Sequence, residues 1–462
     1  MASVHKRTLV VDGITPVSAY ASLRAKAEGG SFLLESVVPG KRWGRYSVLG
    51  YRPKSQVIVE AREGIDPFAA LAELISTSED PVGEVAERFC GAHVGVLTYD
   101  VVHTATKVPG WPVRAKREPI ARMVSGATVI VFDNLTHTAT IAAQDQDEVE
   151  RAGRDLAGVG SLPPMEAPDP QALPDDVDLD TSDTEYEAGV ERIKEYIRAG
   201  DAFQVVYART FSTPVGNADP FDVYRALCVL SPAPYMYLLE LPAQAGAPPV
   251  AIAGASPETL VRVEGRTMTL RPIAGTRRRG RTDVEDAELA REMLADPKEL
   301  AEHVMLIDLA RNDIGRVAKT DTVRLIRQME VERYSHVMHI VSEVVGEIVQ
   351  GRTAWDVLRA AFPAGTLSGA PKVRAMQIIR ELERRPRGVY GGAIGYVTSG
   401  LDLDFAIAIR TVVMQKGRFE VTAGAGIVAD SVPALESKET RNKARAALAS
   451  IRAARSNPFR RP

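Results

Sequence analysis

The sequence predicts an α+β fold with largely antiparallel sheets, and three observations predict it. Short apolar or alternating segments of strand character dominate the second half of the chain and are separated by turns rather than by one helix each. Helical periodicity is confined to a few blocks, chiefly 285–295, 297–312, 354–362, 371–384 and 434–453, so strict strand–helix alternation and a doubly wound parallel sheet are disfavoured. The 462 residues, 45% hydrophobic and 25% charged, suffice for a large core of ordinary globular composition.

Taken in order, the N-terminal region shows Phe32–Ser36, Arg45–Gly50 and Val94–Asp100, apolar strands running into polar turns, while residues 53–92 carry no interpretable motif. From Gln144 to Asp183 the composition turns to Asp, Pro, Gly and Glu, which predicts a linker or surface excursion over 146–182 between an N-terminal domain, 1–145, and a C-terminal domain, 183–455. The latter opens on a Ser182-x-x-Glu185 capping box, followed by Tyr186, Val190, Ile193 and Ile197 at helical spacing and by Gly200 as a stop. Strands are expected at Phe203–Phe211, Val250–Ala253, Thr259–Val263, Tyr390–Val397, Phe405–Val413 and Arg418–Ala423.

The net charge of −3 offers no global attraction to nucleic acid, and the run Arg277-Arg278-Arg279-Gly280-Arg281 reads as a solvated turn. Cys90 and Cys228, with no partner spacing, support neither a disulfide framework nor a zinc site. With no apolar leader at Met1–Gly13 and no membrane-length apolar run, no membrane association and a cytoplasmic location are expected.

Two Glu-x-x-Glu pairs, Glu299/Glu302 and Glu436/Glu439, each place two carboxylates on one helical face. If those faces meet, four acids demand a cation or protons, and oxygen-only ligation suits Mg²⁺. Taken singly they also fit structural roles: Asp296-Pro297 makes Glu299 a capping acid, and Glu439 can pair with Lys443. The segment Thr422–Ile427 follows a strand, and its glycines permit close backbone approach to an anion beside Arg410 and Lys443. The stretch Pro363–Lys372 reads as a connection between helices, and His339 as a strand histidine.

The ordered segments GASPE (254–258), RPIAGTRRRG (271–280), AEHVMLIDLARND (301–313), SHVMHIVSEV (335–344), AGTLSGAPK (364–372), YGGAIGY (390–396), AIAIRT (406–411) and TAGAGIVADSVPALESKETRNKA (422–444) carry a family resemblance over nearly the whole chain. It resembles the chorismate-utilising enzymes, and within them the anthranilate synthase component I branch. The resemblance implies a four-layer sandwich of orthogonally packed β-sheets flanked by helices. It implies Mg²⁺, with Glu302 and Glu439 as direct ligands and Glu299 and Glu436 in the water-mediated shell. Tyr390, Arg410, Gly424, Ala425, Gly426 and Lys443 match the group holding the enolpyruvyl carboxylate, and Gly275, Thr276 and Thr366 match residues around the ring. Glu258 matches the acid that assists departure of the 4-hydroxyl, which requires it protonated. His339 matches the histidine of the later pyruvate elimination.

Two positions separate the branches. Isochorismate and salicylate synthases, which this chain resembles, carry a water-activating Lys where Gln204 stands, and many aminodeoxychorismate synthases carry a nucleophilic Lys where Ala274 stands. Neither residue here can do that work, so the expectation is direct amination by ammonia. The alternatives are those two activities, or a non-catalytic chorismate- or tryptophan-binding protein, for which the acid–base set would be superfluous. Leu34-Glu35-Ser36 and Pro234-Tyr235-Met236 match segments that bind feedback tryptophan in this branch, although Ser231-Pro232-Ala233 stands where family sequences often read Asn-Pro-Ser. Neither cysteine lies in a nucleophile-elbow context, so a separate glutamine amidotransferase subunit is expected to supply ammonia, in a heterotetramer of two large and two small subunits.

Overall fold

The computed structural model describes residues 4–36, 45–61, 65–75, 84–106, 108–109, 119–334, 337–398, 400 and 402–457. Two sheets dominate it, one of twelve strands and one of ten, and every strand pair among the described residues is antiparallel. The first runs His5–Val10, Thr138–Ala143, Thr128–Asp133, Tyr46–Tyr51, Ser31–Glu35, Tyr235–Leu241, Val250–Ser256, Thr411–Gln415, Arg418–Ile427, Gln204–Pro214 and Gly369–Ala370, with Asp178–Leu179 on the flank of Gln204–Pro214. The second runs Ile273–Arg278, Val337–Glu347, Thr267–Leu270, Thr259–Glu264, Leu403–Ile407, Ala393–Val397, His93–Leu97, Pro119–Ser125 and Ser55–Glu60, with Arg324–Arg333 added to Val337–Glu347. Both sheets therefore interleave strands from the two ends of the sequence.

Period-two alternation decides the layering. In Ser31–Glu35, Phe32 joins a core cluster with Val48, Val129, Val131, Tyr237, Leu239 and Ile252 from the first sheet and Val94, Val96, Val124 and Ile394 from the second. That cluster is the sandwich interior. The neighbouring Leu33, Leu49, Ile130, Ile141, Leu238 and Ala253 face the other way, onto the helices Pro16–Arg24, Gln146–Ala157, Pro220–Leu230 and Pro433–Arg455. The outer face of the second sheet is covered by Pro67–Leu74, Pro297–Gly315 and Ala354–Ala361. The result is a helix–sheet–sheet–helix sandwich, the α+β class expected.

Four local expectations are corrected. The single strand expected at Phe405–Val413 is two, Leu403–Ile407 in the second sheet and Thr411–Gln415 in the first, because the chain changes sheets between them. Thr422–Ile427 does not follow the strand but forms its end, within Arg418–Ile427, paired with Gln204–Pro214. Part of the expected linker is the helix Gln146–Ala157, capped by Asp145 and buried through Val149, Ala152 and Leu156. Its apolar residues are few but fall on one face, which bulk composition hides. Pro363–Lys372 holds a 3₁₀ turn, Gly365–Leu367, and the short strand Gly369–Ala370, instead of a plain connection between helices. Ser335 and His336 of the 335–344 motif lie outside the described residues.

Candidate active site

Two switches of the chain from sheet to sheet place the central pair. Val250–Ser256 ends in the first sheet and Thr259–Glu264 begins in the second, leaving Glu258 on the crossing; Ala408–Arg410 makes the reverse crossing. The crossings are tied together, since Ile407 N–H donates to the Glu258 carbonyl at 3.0 Å and Ala255 N–H to the Arg410 carbonyl at 3.2 Å. Arg410 sits in the left-handed region at φ 50°, a conformation that costs a non-glycine residue about 1 kcal/mol or more. Burial pushes the Glu258 carboxyl up to about 7, against the opposing pull of a Thr366 hydroxyl hydrogen bond, Arg410 and Lys443. Thr366 Oγ1 donates to Glu258 Oε1 at 3.1 Å. Near neutrality a large fraction of Glu258 thus keeps a proton that it can deliver.

His339 lies on Val337–Glu347, buried, with Nδ1 2.9 Å from the Gly275 carbonyl and 3.1 Å from Thr276 Oγ1. A carbonyl only accepts, so Nδ1 carries the proton and Nε2 of the neutral ring is left with a lone pair. Burial lowers the His339 pKa, with the Gly275 carbonyl opposing, which keeps the ring neutral. Gly275 is a bulge at φ 63°, where the register between Ile273–Arg278 and Val337–Glu347 slips. A Cβ there would stand 3.1 Å from Ile340 and 3.3 Å from Glu299 Oε2, so the glycine lets the acidic helix approach the histidine strand.

The acidic pairs occupy Pro297–Gly315 and Pro433–Arg455. Asp296 caps the first through the N–H groups of Lys298 and Glu299. Glu299 accepts from Arg277 at 2.8 Å, and Glu439 pairs with Lys443 at 2.7 Å. Glu302 forms no ion pair with a described residue. Crowding by protein, then the charges of Glu299 and Glu439, raise its carboxyl pKa, so the two helices face one another across a shared electrostatic field. Glu436 is raised likewise by burial first and then by Glu439, against a Ser431 hydrogen bond. Among the described residues no three acids or histidines converge closely enough to chelate an ion as they stand. The fit to a divalent cation rests instead on the donor chemistry, four carboxylates on facing helices with Glu302 uncompensated.

Lys443 Nζ also donates to the Gly424 carbonyl at 3.0 Å. Beyond Val421, Arg418–Ile427 is paired only with Gln204–Pro214, so one backbone edge of Gly424–Gly426 has no partner strand among the described residues. The Tyr390 hydroxyl packs on Gly424 and the Gln204 amide on Gly426, where a Cβ would come within 2.8 Å and 2.4 Å of them. Burial pushes Tyr390 up to about 12, leaving it a neutral donor. Ala274 pairs with Ile340 and brings no nucleophile.

The expected tryptophan segments are also brought together. Strand pairing sets Leu34 opposite Tyr237 and Glu35 opposite Met236, with Pro234 just before the strand. Glu35 accepts from the Tyr224 hydroxyl at 2.5 Å and from Ser47 at 3.3 Å, whereas the buried Ser36 hydroxyl has no partner among the described residues. Tyr235 bonds Oγ1 of Thr259, next in chain to Glu258, at 2.8 Å and Asp404 at 2.9 Å.

Sequence reasoning gave no role to two buried ion pairs. Lys372 meets both Asp313 oxygens at 2.9 and 2.8 Å, and Arg387 meets Glu383 at 2.6 Å while its guanidinium lies 5.6 Å from the Tyr390 ring. Asp313 and Glu258 line one open cleft, together with Thr366, Arg271 and Leu309. The only signal was charged residues inside motifs, Asp313 and Lys372, with no sequence spacing to join them.

The chorismate binding enzyme family model matches residues 31–449. The anthranilate synthase component 1 of Mycobacterium tuberculosis is 43% identical, covering 97% of this chain and 92% of its own, and that of Thermus thermophilus is 43% identical over 97% of each. The crystal structure of anthranilate synthase component I from Streptococcus pneumoniae superposes with a TM-score of 0.76 at 35% identity, covering 96% of this chain and 99% of the other. A menaquinone-specific isochorismate synthase from Escherichia coli, at 17% identity and a TM-score of 0.72, shares the fold. A sheet-crossing acid, an arginine beside it, facing acidic helices and these relatives together mean that the chain belongs to the chorismate-binding enzymes, in the anthranilate synthase component I branch.

Proposed function

We propose that this chain aminates chorismate with ammonia at ring C2 and then eliminates pyruvate to give anthranilate, the first step of tryptophan biosynthesis, and that it is a carbon–oxygen lyase inhibited by tryptophan. The observation that carries the reading is Glu258, held by Thr366 at 3.1 Å with its carboxyl near neutrality, in a site where Gln204 and Ala274 leave no basic or nucleophilic side chain at the branch-deciding positions. Glu258 protonates the 4-hydroxyl, which leaves as water while the ring double bonds shift and ammonia bonds to C2. The resulting ammonium loses a proton to solvent. Elimination then passes the C2 proton to a base and breaks the C3–oxygen bond, releasing enolpyruvate, which takes up a proton at its methylene carbon to become pyruvate; the free Nε2 of His339 is the base that the geometry offers. Arg410, Lys443, Tyr390 and the Gly424–Gly426 edge suit the enolpyruvyl carboxylate, and Gly275, Thr276 and Thr366 border the ring. Glu302 and Glu439 would hold Mg²⁺ directly, with Glu299 and Glu436 behind waters; when bound, the ion neutralises the ring carboxylate and makes the ring more electrophilic.

Leu34, Glu35, Ser36, Pro234, Tyr235 and Met236 form the proposed tryptophan site, which the buried Ser36 hydroxyl, without a partner among the described residues, supports. Ammonia in the cell would come from a separate glutamine amidotransferase subunit in a cytoplasmic assembly of two large and two small subunits. The deciding experiment supplies the chain with chorismate, Mg²⁺ and ammonium and follows anthranilate fluorescence. A hydroxylated product, or none, overturns the reading.

A further inference from the structure

The Arg277 guanidinium fills the gap between the strand carrying Gly275 and Thr276 and the start of the Pro297–Gly315 helix. Nη1 donates to the Thr276 carbonyl at 3.1 Å and to Glu299 Oε1 at 2.8 Å, Nη2 to Asp296 at 3.1 Å and Nε to Glu292 at 3.3 Å. The Arg277 and Glu299 side chains are only 21% and 22% exposed. Glu299 is thus neutralised by a cation that the fold fixes in place, while Glu302, one turn along the same face, has no ion pair among the described residues. To enter an inner coordination sphere Glu299 would have to break a charge-assisted bond held at four points, which Glu302 need not do.

We propose that Arg277 is a positioning residue that keeps Glu299 out of direct contact with the divalent cation, and thereby sets the affinity of the site and its preference for Mg²⁺ over Ca²⁺. The inference rests on the proposed Mg²⁺ site. Mg²⁺ keeps several waters and takes one or two carboxylates, whereas Ca²⁺ accepts about six to eight oxygens in loose geometry. A freed Glu299 adds a ligand that Ca²⁺ can use and Mg²⁺ largely cannot. Arg277 therefore acts on ion choice without touching the ion.

The test is calorimetric titration of the full chain with MgCl₂ and with CaCl₂, without substrate. Saturable Mg²⁺ binding that Glu302→Gln removes establishes the site; its absence in the unmodified chain overturns the metal reading and this inference together. With the site established, Arg277→Gln is expected to tighten Ca²⁺ by about tenfold and Mg²⁺ by clearly less, and the double variant with Glu299→Gln to lose that gain. An unchanged Mg²⁺/Ca²⁺ ratio, or uniform weakening with a native circular dichroism spectrum, overturns the inference alone. Should Arg277→Gln fail to fold, Glu299→Gln decides. It is expected to weaken Mg²⁺ by less than about threefold, and a loss as large as that of Glu302→Gln overturns the role given to Arg277.

Discussion

Thr366 reaches Glu258 from a different part of the chain, its hydroxyl donating to the carboxyl at 3.1 Å, and it is the one side chain hydrogen-bonded to that carboxyl among the described residues. The bond favours the ionised form, against the burial that favours the acid. Removing it by Thr366→Val should raise the Glu258 pKa further. The alkaline fall in the amination rate should therefore move to higher pH, by about half a unit to one unit, alongside a lower kcat from lost positioning. A kcat profile against pH in the variant and the parent checks it; a shift towards acid would contradict the assignment.

Glu258 also burdens stability with a definite sign. Its folded pKa of about 7 lies above the 4.5 of an ordinary glutamate, so the native state binds more protons between those pH values and stability falls as pH rises through that window. Glu258→Gln should accordingly stabilise the chain at pH 8, by at most about 3 kcal/mol, and change little at pH 4.5. The same variant should lose about 10² to 10⁴ of the amination rate. Denaturant melts at both pH values, set beside the anthranilate assay, test both halves.

His339→Asn should separate the two chemical steps. Ammonia incorporation should persist while pyruvate release falls by about 10² or more, so that an aminated, non-aromatic intermediate accumulates. Mass spectrometry of the products and a coupled pyruvate assay report this; unchanged pyruvate release would remove His339 from the elimination.

Ser36→Ala should weaken tryptophan inhibition by about 1 to 2 kcal/mol of binding, or roughly 5- to 30-fold in inhibition constant, with uninhibited turnover kept. Because the hydroxyl is buried without a partner in the described chain, its loss should not reduce the melting temperature. An inhibition constant equal to that of the parent would exclude Ser36 from the inhibitor site.

Lys372→Met should destabilise strongly, by about 3 kcal/mol, since it leaves Asp313 buried with Arg316 as its remaining partner, whereas Lys372→Met with Asp313→Leu should recover much of the loss. Thermal melts of the single and double variants decide between a structural clamp and a dispensable pair.

Much of the site was legible because its residues sit in contiguous motifs, and the strands and helices that carry them were announced by periodicity and caps. What local pattern could not show was the change of sheet. Phe405–Val413 is apolar except at Arg410 and Thr411, with no Gly, Pro, Asn or Asp to mark the turn at Ala408–Arg410, and the left-handed Arg410 is tied by its carbonyl to the N–H of Ala255, which is distant in sequence. Thr422–Ile427 read as lying beyond the strand for a different reason. Its glycines serve close packing of Tyr390 and Gln204 within a strand, and period and propensity are blind to a neighbour arriving from elsewhere. The Arg277–Glu299 pair was hidden because a charged run looks the same whether it meets water or carboxylates.

The interleaving of the two sheets bears on how the chain is made. Ser31–Glu35 hydrogen-bonds to Tyr235–Leu241, and His93–Leu97 to Ala393–Val397, a partner translated about three hundred residues later. At about 5–20 residues per second, the ribosome leaves that edge open for roughly 15 to 60 s. The early strands cannot complete either sheet on their own, so folding is expected to finish only once the strands of the second half have left the ribosome, with exposed apolar edges in the interval as sites for chaperone capture or aggregation.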